Sequence, residues 1–91
     1  MTQADPFEER TLYTISNEDG ERTTLTLDKL TADVLQEILA DVHVWVQQTY
    51  DRVAERKPNL SRREKGDLVR ALANREAQSS PLYKQKINEI L

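Results

Sequence analysis

Apolar residues recur at helical spacing through the middle of the chain, from Val34 to Val53. At 100° per residue they fall on one arc of about 160°, and acidic and amide side chains fill the opposite side. The arc comprises Val34, Leu35, Ile38, Leu39, Val42, Trp45, Val46, Thr49, Tyr50 and Val53. Asp28 and Thr31 are competent N-caps, and Pro58 disfavours helical geometry at the preceding residue. The pattern therefore predicts one long amphipathic helix over about 30–56.

Two short segments before this helix are rich in Thr, Tyr, Ile and Leu, a composition typical of strands. They flank an Asp-Gly pair at 19–20, which tolerates the positive φ values of a tight hairpin turn. Pairing across that turn places Leu12 opposite Leu27, and a four-residue loop shifts the pairing by two but keeps the same faces. The sequence predicts a β-hairpin over 10–27 whose leucine face, which also carries Leu25, packs against a helix.

Two further helices are predicted after the long one. Ser61 and Glu64 form a capping-box pattern that begins a helix over 62–78. Ser80 followed by a proline is typical of another helix start and predicts a helix over 81–91. We therefore expect residues 1–9 to be a flexible N-terminal segment and residues 10–91 to form a single small α+β domain in the order ββααα.

Composition narrows the class of protein. The chain has 91 residues, of which 37% are hydrophobic and 32% charged, and it has no cysteine. Disulfides and thiolate metal sites are thus excluded, and the absence of cysteine suits a reducing compartment. The N-terminal residues lack a basic segment followed by an apolar one, and no apolar run approaches the roughly 18 residues of a membrane span. A small soluble cytoplasmic protein without membrane contact is the expectation.

The residues offer little for catalysis. His43 is the single histidine, so no catalytic triad or two-histidine metal site can form within one chain. With two glycines, no Gly-rich phosphate loop is available. Glu37 and Asp41 are four residues apart, but on the polar side of the predicted long helix they should be solvated. We predict a protein that is not an enzyme, with no catalytic, cofactor-binding or metal-binding residues. No residue pattern matches the signature motif of a known family.

The apolar arc must be covered, either by the rest of the chain or by a second copy. This favours a non-enzymatic protein–protein interaction module or a small regulatory or assembly subunit, which binds another protein or forms a homodimer. Tryptophan is enriched among the residues that dominate interfaces. We expect Trp45, Tyr50 and Val53 near the centre of such an interface, with Val44 or His43 at its border.

The alternative is a nucleic-acid-binding regulator. Residues 1–50 hold three cationic and ten acidic side chains, whereas residues 51–91 hold ten and six. The last two helices resemble a helix-turn-helix in spacing, and their basic face would contact phosphates. Its candidate residues are Arg62, Arg63, Lys65, Arg70, Lys84 and Lys86. A sequence pI near 5.1 weighs against this alternative, since nucleic-acid-binding domains often have a pI above about 9.

Overall fold

The computed structural model describes residues 9–91, which form a two-stranded antiparallel sheet and four helices. The elements are β1 (Arg10–Ser16), β2 (Arg22–Asp28), α1 (Lys29–Ile38), α2 (Val42–Arg56), α3 (Arg62–Gln78) and α4 (Pro81–Ile90). The predicted α+β class is confirmed. The predicted flexible segment 1–9 lies outside the described residues except for Glu9, whose carbonyl accepts a hydrogen bond from Lys29 N at 2.9 Å.

The prediction of one long helix over 30–56 is wrong, because α1 and α2 are separate helices. Leu39 ends α1 in extended backbone geometry, and Asp41 begins α2 by accepting a hydrogen bond from Val44 N at 3.1 Å. Glu37 and Asp41 are therefore not neighbours on one helical face. The break contains neither Gly nor Pro, so the N-cap residue is its main local signal. The observed order is ββαααα rather than ββααα.

The hairpin register differs by one residue from the prediction. Gly20 has a φ of 79°, Gly20 N donates to Asn17 O at 3.0 Å, and Asn17 N donates to Glu21 O at 2.8 Å. These contacts close a three-residue loop, which places Leu12 opposite Thr26 instead of Leu27. A shift of one residue turns β1 over. Leu12 is consequently 68% exposed, and Ile15 takes its place in the core at 2% exposed.

One face of the hairpin packs on the helices and forms the core with them. From the strands it receives Ile15, Leu25 and Leu27. The helices contribute Leu30, Ala32, Val34, Leu35, Val42, Val46, Tyr50, Val53, Val69, Ala73 and Ala77. Most of the apolar arc seen in the sequence is therefore covered within one chain. Among residues 9–91, no helix is long and apolar enough to cross a membrane.

The predicted helix starts of the second half are confirmed. Ser61 and Glu64 each accept a hydrogen bond from the other's backbone amide, which completes the capping box of α3. Ser80 caps α4 with a proline at the first helical turn. α3 packs against α2 and β2.

Candidate functional site

The hydrogen-bonding pattern of the hairpin decides which main-chain groups face away from the sheet. Asn17 N donates to Glu21 O at the turn, and Lys29 N donates to Glu9 O at the opposite end. Antiparallel ladders alternate between residues that exchange hydrogen bonds and residues that do not. In the observed register, the odd-numbered residues of the two strands therefore form main-chain hydrogen bonds with each other. The amides and carbonyls of the even-numbered residues lie on the two outer edges.

Side chains of α2 cap the outer edge of β1 at Thr14 and Ser16. Gln47 Oε1 accepts from Ser16 N at 2.8 Å, and Gln47 Nε2 donates to Ser16 O at 2.9 Å. One turn earlier, His43 Nε2 donates to the carbonyl of Thr14. The Gln47 amide thus substitutes for the peptide group of a neighbouring strand. Capping of this kind protects an edge strand from pairing with another chain.

Among residues 9–91, the outer edge of β2 has no comparable cap. Its outward main-chain groups belong to Arg22, Thr24, Thr26 and Asp28. Within residues 9–91, the amides and carbonyls of Thr24 and Thr26 make no hydrogen bond to another main-chain group. No side chain in this part of the chain bonds them either, in contrast to Ser16 and Thr14 on β1. A second strand would find there a row of donors and acceptors.

A cavity of about 180 Å³ opens beside β2, between the inner face of the sheet and the first turns of α3. Ile15, Leu25 and Tyr50 form part of its lining, together with Thr23 and Thr24 of the strand itself. The α3 residues of its lining are Arg62, Arg63, Gly66 and Arg70. The free edge therefore borders a recess with apolar and basic walls.

A charge cluster holds the hairpin tip on the helices beside this cavity. The Glu18 carboxylate lies 3.3 Å from Lys65 Nζ and 3.8 Å from Arg62 Nε, and Tyr50 Oη donates to it at 3.3 Å. Arg62 also pairs with Asp19 and lies 3.6 Å from Glu21. Burial, with a further contribution from Glu18, raises the pKa of the Tyr50 phenol. The cluster connects the hairpin turn to Tyr50 of α2 and to the first turn of α3.

The five residues predicted for a protein interface do not share one surface. Tyr50 and Val53 are buried in the core, and Trp45 is half-buried against it. Val44 is 49% exposed, and exposed His43 is engaged with β1. In this fold, Val44 and His43 are accessible, whereas Tyr50 and Val53 serve the core.

The six cationic residues of the nucleic-acid alternative are mostly paired within the chain. Arg62 and Lys65 contact the hairpin acids, Arg70 pairs with Asp67, and Lys86 Nζ lies 3.8 Å from Glu37. The remaining two, Arg63 and Lys84, form no ion pair with residues 9–91. A salt-dependent gel shift with mixed-sequence DNA and RNA tests this alternative directly.

Among residues 9–91, no group of three or more Asp, Glu or His side chains is placed to hold a metal ion. No protein-family model, curated protein or solved structure matches this chain.

The free edge of β2 was missed by sequence reasoning. Whether the odd-numbered or the even-numbered residues of β2 direct their main-chain groups outward depends on the hairpin register. The register in turn depends on whether the loop has two, three or four residues. An Asp-Gly pair is compatible with several of these loops, so the sequence left the outward-facing groups undecided.

Proposed function

We propose that this chain is a non-enzymatic protein-binding module that pairs the outer edge of β2 with an extended segment of a polypeptide. The observation that carries the proposal is the unequal treatment of the two edges of one hairpin. His43 and Gln47 occupy the β1 edge at Thr14 and Ser16, whereas no side chain of the described residues bonds the main-chain groups of Thr24 and Thr26 on the β2 edge.

Strand addition gives affinity through main-chain hydrogen bonds and specificity through pockets for alternate side chains. The cavity beside Leu25 can receive an apolar side chain from the inner face of an added strand. The exposed Thr24 side chain, on the opposite face, leaves that side of the strand accessible. The main-chain groups that would pair with an added strand and the cavity that would receive its side chain thus lie at the same edge.

A selection from a random peptide library tests the proposal. The protein is immobilised at low density, and retained peptides are counter-screened against Thr24→Pro, which removes an outward amide from β2. Thr14→Pro is the matched control, since Thr14 is the exposed cross-strand neighbour of Thr24 on the capped strand. Proline is tolerated where the strand amide faces away from the ladder.

We expect enriched peptides to have alternating apolar residues and to bind the native protein and Thr14→Pro but not Thr24→Pro. Peptides that bind Thr24→Pro equally well, or no enrichment at all, would contradict strand addition at β2. Circular dichroism of both proline variants establishes that the fold is retained.

A further inference from the structure

We infer that the polypeptide that occupies the β2 edge is a second copy of this chain, related by a two-fold axis that passes beside Leu25. This inference rests on the proposed function and identifies the partner. The two hairpins then form one four-stranded antiparallel sheet in the order β1, β2, β2 of the second copy, β1 of the second copy.

The register of the proposed β2–β2 pairing follows from the length of β2 and from which of its residues direct their main-chain groups outward. β2 runs from Arg22 to Asp28, so Leu25 is its centre, and an axis there pairs the whole strand. Thr24 then lies opposite Thr26 of the second copy, and both direct their main-chain groups toward each other. Leu25 meets its own counterpart at a non-hydrogen-bonded position, where side chains approach most closely.

Charge complementarity supports this register. With the axis at Leu25, Arg22 lies opposite Asp28 of the second copy, and the reverse pair forms by symmetry. All four side chains are on the outer face of the sheet. Asp28 already accepts from Thr31 N and Thr31 Oγ1, both at 2.9 Å. A carboxylate has about four acceptor positions, so it can serve the helix cap and the cation together.

The cap at Thr14 and Ser16 shortens the part of the β1 edge at which such an assembly could grow beyond two copies. Strand addition can continue without limit when both edges of each sheet are open. Here His43 and Gln47 occupy the part of the β1 edge formed by Thr14 and Ser16, and β1 becomes the outer strand of the four-stranded sheet. An isologous pairing of the β2 edge gives a closed dimer.

Light scattering over a dilution series of the full chain is the first test. We expect the mass of two chains at high concentration, the mass of one on dilution, and no larger species. Thr24→Pro should be a monomer at concentrations where the native protein and Thr14→Pro are dimers. A monomer at every concentration, or a dimer unaffected by Thr24→Pro, would overturn the inference.

A charge rescue tests the register without proline. Arg22→Glu places like charges opposite each other in both symmetric pairs, and we expect the dimer dissociation constant to rise roughly tenfold. Adding Asp28→Asn should restore most of the affinity, since asparagine removes the repulsion and still caps α1. Equal dissociation constants for Arg22→Glu with and without Asp28→Asn would exclude this register.

The two proposals can fail separately. A monomeric native protein that still binds Thr24-dependent peptides would overturn only the identity of the partner. A monomer whose Thr24 and Thr26 amides exchange slowly with solvent would overturn both proposals, because the edge would already be occupied within the chain.

Discussion

At the residue scale, Glu18 is the side chain on which the position of the hairpin depends. Its carboxylate is partly exposed, but its partner Lys65 is only 4% exposed. Removing one member of a buried ion pair leaves the other charge uncompensated. We predict that Glu18→Gln lowers the free energy of unfolding by about 1–3 kcal/mol, less than for a fully buried pair because water screens the carboxylate.

A double-mutant cycle isolates this effect. Glu18→Gln combined with Lys65→Met removes both charges and keeps similar side-chain volumes. We expect the double variant to be about 1 kcal/mol more stable than the sum of the single changes implies, as measured by urea unfolding. Strictly additive effects would mean that Glu18 and Lys65 do not interact in solution.

Tyr50 provides a pH-dependent prediction at the same scale. Its pKa is raised above the ordinary value of 10.0, chiefly by burial and then by Glu18. The phenol ionises more easily in the unfolded chain, so its contribution to stability is complete below pH 10 and is lost as pH rises through the folded-state pKa. Urea unfolding between pH 8 and 11 should show a shallower alkaline loss for Tyr50→Phe. An unchanged slope would contradict the assignment.

At the scale of elements, alanine substitutions of the two glycines should change the stability of the protein in opposite directions. Gly20 closes the hairpin loop with a φ of 79°, so Gly20→Ala should cost about 1–2 kcal/mol of stability. Gly66 lies within α3, and an added Cβ would meet only the Arg70 guanidinium at 3.8 Å. Gly66→Ala should therefore stabilise the protein by up to about 1 kcal/mol through helix propensity. Thermal and urea unfolding measure both; the same sign for the two variants would be inconsistent with the structure.

The cap on β1 makes a further prediction about this element. His43→Ala combined with Gln47→Ala exposes the amide of Ser16 and the carbonyls of Thr14 and Ser16. A chain with two open edges should form species larger than a dimer, and sedimentation velocity would detect them. Gln48→Ala is the matched control, since Gln48 is exposed on the same helix. An unchanged size distribution for the double variant would contradict the capping role.

The starts of α3 and α4 could be predicted from local capping residues, whereas the break between α1 and α2 and the hairpin register could not. Ser61 and Ser80 begin their helices where the sequence indicates, because their hydroxyls satisfy amides within the next few residues. The break before Asp41 was not predicted, since the apolar period continues across it and Asp41 alone marks the new start. Leu12 was misplaced because its face depends on the loop length, and the observed three-residue loop buries Ile15 instead.

At the scale of the whole molecule, the apolar arc is mainly the core of one chain. A chain of this length buries a modest share of its surface, and the fold uses the arc for that purpose. Trp45, Tyr50 and Val53 were predicted at an interface because the sequence cannot show whether the hairpin or a second copy covers them. The main-chain groups that are accessible at the edge of β2 are determined by the hairpin register, which the side-chain identities do not reveal.

The most direct test of strand pairing at β2 is the hydrogen exchange of the Thr24 and Thr26 amides as a function of protein concentration, followed by NMR. Both amides should exchange rapidly in dilute samples and become protected together as the dimer forms, while amides inside the β1–β2 ladder stay protected throughout. Exchange that is independent of concentration at Thr24 and Thr26 would contradict self-assembly through this edge.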